Sequence, residues 1–118
     1  MNIFIRLLPL TGAALFALTG CGRKVDVAGQ VGELEKAFQA GQSNADVNFA
    51  VSAVRTNDYA VSVIALQNAR RTPGMTPDQL MAMQRTLEAI TADLVARAAK
   101  GDANARAALA AIERSRSQ

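Results

Sequence analysis

Thr76-Pro77-Asp78-Gln79-Leu80-Met81-Ala82-Met83-Gln84-Arg85-Thr86-Leu87-Glu88-Ala89-Ile90-Thr91-Ala92-Asp93-Leu94 is the stretch that decides the fold. Its first four residues spell a helix start. Thr76 can cap free backbone N–H groups, Pro77 suits the first helical position, and Asp78 complements the positive end of the helix dipole. Gln79 can reach back to the cap. Behind them Leu80, Met83, Leu87, Ile90 and Leu94 step by three and four residues, which puts them on one helical face. The pattern predicts a helix to about Ala99, the longest in the chain. Two heptads fall short of the three or four a coiled coil needs, so this face is expected to pack on the chain's own shorter helices.

Downstream, Lys100-Gly101-Asp102 reads as a turn with Asp102 as the next cap. A last helix is expected from Ala103 to Arg114, with Ala105, Ala108, Leu109 and Ile112 inward and Ser115 to Gln118 fraying. Upstream, Thr72-Pro73-Gly74-Met75 is the sharpest interruption, since Pro and Gly together punctuate structure. Before it, Tyr59, Val63, Leu66 and Ala69 or Arg70 recur at helical spacing behind the breaker Thr56-Asn57-Asp58. Ser43-Asn44-Ala45-Asp46 is similar to a capping box and opens a helix whose stripe is Val47, Ala50, Val51 and Val54. A first helix from Val31 to Ala40, carrying Val31, Leu34 and Phe38, would end at Gly41 in the position glycine favours. The methionines Met75, Met81 and Met83 cluster at the start of the long helix, and core filling is their commoner use. Alanine is abundant, it is the best helix former, and no run alternates β-branched and polar residues. The fold class expected is all-α: a small antiparallel bundle of four to five helices.

Within this bundle Asn57-Asp58-Tyr59-Ala60-Val61-Ser62-Val63-Ile64-Ala65-Leu66-Gln67-Asn68-Ala69 resembles the second half of a tetratricopeptide repeat. That family places a turn before an aromatic, then a small residue, a large apolar residue and an alanine, here Tyr59, Ser62, Leu66 and Ala69. Pro73 arrives one residue before the family's closing proline, and the preceding helix lacks its bulky aromatic and Leu-Gly pattern. No second unit lies about 34 residues away.

The N-terminal part carries a different signal. One charge, Arg6, stands behind Met1 to Ile5, and an apolar stretch containing Pro9 runs from Leu7 to Leu18. Thr19, Gly20 and the chain's single cysteine, Cys21, come next. A basic start, an apolar run of this length and small residues at its end make a secretory signal. A spanning helix needs about 20 apolar residues, and this run is shorter. Leu18-Thr19-Gly20-Cys21 resembles the lipobox of bacterial lipoproteins. The resemblance implies cleavage between Gly20 and Cys21, a diacylglycerol thioether on Cys21, and a membrane anchor of several acyl chains. In that family an aspartate after the cysteine tends to retain the protein in the inner membrane, so Gly22 favours the outer one. The organisation expected is a signal peptide over 1–20, a lipidated cysteine and tether over 21–30, and a helical domain over 31–118.

After removal of residues 1–20 the 98 remaining residues hold 12 Lys and Arg (13 less Arg6) against 10 Asp and Glu. The charges are interspersed, with no basic block interleaved with aromatics, so nucleic acid is not an expected partner. The chain has no histidine, which removes Ser-His and Cys-His nucleophile pairs. The carboxylates, among them Glu33, Glu35, Asp46 and Asp58, have no metal-ligand spacing, and no glycine-rich phosphate loop precedes a helix. No catalytic residues, metal or cofactor are expected. The function these observations favour is a membrane-anchored, non-enzymatic scaffold or protein-interaction module of the cell envelope, facing the periplasm. Tyr59, Met81 and Val95 are the candidate surface residues for an envelope protein partner. The alternative is a carrier holding a small hydrophobic ligand between helices.

Overall fold

The computed structural model describes residues 26–39 and 43–117. They form five helices: α1 (Val27–Gln39), α2 (Ala45–Arg55), α3 (Tyr59–Ala69), α4 (Pro77–Ala99) and α5 (Ala103–Arg116). The fold is all-α, a small bundle of antiparallel helices. The expected signal peptide, Gly20, Cys21 and the stop at Gly41 lie outside the described residues. No described helix is long and apolar enough to cross a membrane.

Local chemistry accounts for the helix starts. At α4 the Gln79 backbone N–H donates to Thr76 Oγ1 (3.1 Å) and the Thr76 N–H donates to Gln79 Oε1 (3.0 Å). This is the reciprocal cap expected from the sequence. Asn44, not Ser43, caps α2: its Oδ1 accepts from the N–H groups of Asp46 (2.9 Å) and Val47 (3.2 Å). Asp58 and Asp102 cap α3 and α5.

The start of α1 corrects the expected boundary at residue 31. Asp26 accepts the Gly29 N–H on its carboxylate (2.9 Å) and the Gln30 N–H on its carbonyl (3.1 Å). The helix therefore begins at Val27, and the expected tether loses residues 27–30 to it. Val27 is buried with Val31, Leu34 and Phe38. The stripe is complete at a four-three-four spacing, but Gly29 and Gly32 between its positions are poor helix formers and disguise the helix in the sequence.

The long helix α4 organises the rest. On one flank it receives α1, on the others α3 and α5, while α2 pairs with α3 as a hairpin. Met83, Ile90, Leu94, Leu66, Leu34 and Val63 are almost wholly shielded from water. Gln79 joins two ends, because its Nε2 also donates to the Ala37 carbonyl at the end of α1 (3.4 Å). Asn44 Nδ2 donates to Thr72 Oγ1 (3.2 Å), which draws the start of α2 to the α3–α4 connection. At the far end of the bundle the Arg97 guanidinium stacks 4.7 Å above the Tyr59 ring, so the start of α3 meets the end of α4.

Candidate functional site

The candidate surface residues separate once the helices pack. Met81 and Val95 are exposed (53% each), but they sit on different turns of α4 and form no common patch. Met81 lines an open recess of about 700 Å³ between α1 and α4, shared with Gln30, Glu33, Lys36 and Arg85. Tyr59 is a correction. It is 9% exposed and belongs to the core.

The reason is Arg97. Its guanidinium covers the Tyr59 ring, as a cation over an aromatic face does, and pairs with Asp93 at 2.6 Å. Burial alone would lower the Arg97 pKa, but Asp93, Tyr59 and Asp102 more than offset it, and the net direction is upward. The cluster is a permanently charged clasp between α3 and α4. An arginine sits 38 residues from the tyrosine it hides, and nothing local to Tyr59 announces it.

Two other apolar side chains stand out. Leu80 belongs by spacing to the α4 seam yet is 42% exposed. The inward place in that first turn is taken by Gln79, held by the Thr76 cap and the Ala37 carbonyl. Phe49, on α2, is the most exposed large apolar residue described, at 58%. It lies off the Val47-Ala50-Val51 stripe that packs inward. That position off the stripe is the available signal, and the spacing argument passes over it.

Phe49 has company. Across the α2–α3 hairpin, Val61 and Ile64 are half-buried and line, with Phe49, Ala65, Asp46 and Asn68, a shallow recess of about 180 Å³. Helix α3 carries apolar residues all round: Tyr59, Val63, Leu66 and Ala69 inward, Val61 and Ile64 outward. A helix of that kind is usually covered on every side. Here α2, α4 and α5 cover the inward sides, and the outer strip beside Phe49 is only partly covered.

The remaining recesses are open grooves. One of about 480 Å³ runs between α1 and α2 over Phe38, Val47 and Val51, with the Glu35–Arg55 ion pair (2.6 Å) across one end. Another of about 410 Å³ lies between α3 and α4 and reaches Arg70 and Arg116. Among the described residues no three carboxylate or thiol groups converge as metal ligands. Compared with protein-family models, curated proteins and solved structures, the chain matches none.

Proposed function

We propose that this chain is a lipid-anchored protein of the bacterial cell envelope whose helical bundle serves as a non-enzymatic interaction module. The observation that carries the anchor is Leu18-Thr19-Gly20-Cys21 behind a short apolar run. A single cysteine between Gly20 and Gly22-Arg23-Lys24 has no apolar helical stripe to bury it, and in an exported chain it would otherwise be a reactive thiol. Support for an interaction role comes from Phe49, an aromatic side chain left 58% exposed beside the half-buried Val61 and Ile64. The carrier alternative draws less support: ligand pockets enclose most of their ligand, whereas the recesses here are open grooves. Gly22 favours delivery to the outer membrane.

Metabolic labelling with a clickable palmitate, followed by intact-mass analysis of the membrane fraction, tests the anchor. The expected product starts at Cys21 and carries the label, and Cys21→Ser loses it. An unlabelled chain retaining Met1 would overturn the proposal.

A further inference from the structure

We infer that α5 is a detachable arm, docked in the groove between α3 and α4, which swings out as one unit about the Gly101 turn while α1 to α4 stay folded. Little apolar surface holds it. Two of its 14 residues, Ala105 and Ile112, are buried, against 6 of 11 in α3 and 4 of 11 in α2. Ala108 and Leu109 add only partial cover.

Polar ties to the rest of the bundle are missing as well. Gln79 of α4 donates to the Ala37 carbonyl of α1 (3.4 Å), Glu35 of α1 pairs with Arg55 of α2 (2.6 Å), and Arg97 of α4 lies over the Tyr59 ring of α3. Each of those four helices is thus joined to a neighbour by a polar side chain. Among the described residues no side-chain hydrogen bond or ion pair runs from α5 to another helix. Its own bonds are internal: Arg116 pairs with Glu113 (3.6 Å), and Ser115 Oγ donates to the Ile112 carbonyl (2.7 Å).

The turn before α5 suits a pivot. Gly101 has φ 94° and open space around the place a Cβ would take, so its backbone can change direction without meeting a neighbour, and glycine has wide conformational freedom. Asp102 travels with the arm, since its carboxylate accepts the N–H groups of Asn104 (2.9 Å) and Ala105 (3.2 Å). Six of the 14 residues of α5 are alanine, the best helix former. The released arm therefore keeps its helical bias, and opening differs from unravelling.

Opening uncovers a groove of helical width. Helix α5 packs on both α3 and α4. Past its end the groove continues as the open recess of about 410 Å³ lined by Val63, Leu87, Arg70 and Arg116. A groove that releases one amphipathic helix can receive another, and in this respect the inference rests on the interaction-module reading. The opening itself does not.

Amide hydrogen exchange on the full chain, followed residue by residue at rising low concentrations of urea, tests the arm. A unit that opens locally is less protected than the core, which exchanges only through global unfolding. Protection at Ala108 to Ile112 should be about tenfold or more below that at Leu66 and Ile90. It should respond less steeply to urea, because the slope follows the surface exposed in the opening. A smaller gap, or equal slopes, overturns the inference, since α5 then opens only with the whole bundle. Exchange of α5 at the rate of an unstructured peptide overturns it too, because the arm is then not docked. Loss of the interaction role would leave these readouts unchanged, and the palmitate label judges the anchor separately.

Discussion

The turn between α2 and α3 and the turn between α4 and α5 are built alike. In the first, the Asn57 N–H donates to Val54 O (3.0 Å) and the Asp58 N–H to Ala53 O (2.8 Å). In the second, the Gly101 N–H donates to Ala98 O (3.0 Å) and the Asp102 N–H to Arg97 O (3.1 Å). The residue in the middle is left-handed in both, Asn57 at φ 62° and Gly101 at φ 94°, and an aspartate then caps the next helix. The two hairpins share this hinge and differ in the helix that leaves it. Helix α3 is covered by α2, α4 and α5, whereas α5 buries only Ala105 and Ile112. The same local chemistry thus launches two helices, α3 and α5, of very different standing in the core.

The widest gap between them should appear in core truncation. Leu66→Ala, at a position with no exposure, should cost about 2–5 kcal/mol. Leu109→Ala in α5, where the leucine is only partly buried, should cost clearly less. Urea unfolding of both variants measures the difference, and equal losses would mean that α5 is as central as α3.

The turns themselves should separate by a smaller amount. Gly101→Ala places a Cβ on a left-handed backbone, a conformation that costs L-residues roughly 1–2 kcal/mol. There is open space around that position, so the cost is conformational and not a clash. Asn57→Gly should be neutral within a few tenths of a kcal/mol, or slightly stabilising, because asparagine already tolerates this conformation. Thermal melts of the pair compare the two hinges, and a large loss for Asn57→Gly would break the equivalence of the turns.

A further effect has the opposite sign. The Ser62 hydroxyl is buried in α3 and has no hydrogen-bond partner among the described residues, an arrangement that costs about 1–3 kcal/mol. Ser62→Ala removes the orphan group and supplies a better helix former. The melting temperature should rise by a few degrees, as a gain of about 1 kcal/mol gives in a domain of this size. The equivalent gain has no counterpart in α5, whose inward positions are alanine, leucine and isoleucine.

Much of this architecture is legible before any packing is known. Thr76-Pro77-Asp78-Gln79, Asp58 and Asp102 act where the sequence places them, because a cap satisfies N–H groups two or three residues away and needs nothing else. The stripe Met83, Leu87, Ile90 and Leu94 is buried as its spacing requires. Asp26 escapes a reading of the sequence because Gly29 and Gly32, poor helix formers just behind it, argue against a helix start there. Ser43 gives way to Asn44 for a related reason: adjacent residues can both cap, and the one whose carbonyl oxygen reaches two N–H groups does so.

The exchange of Tyr59 for Phe49 lies at another level. Both are single aromatics on short helices, and composition offers no means of choosing between them. Arg97 crosses from α4 to close over Tyr59, while no described element covers Phe49.

The sequence by itself determined where the helices begin and turn, since those decisions are settled by hydrogen bonds spanning three or four residues. Only the tertiary structure decided which apolar side chains remain in water. Exposure is a property of what neighbouring helices cover, and for Phe49 the described helices pack on the other side.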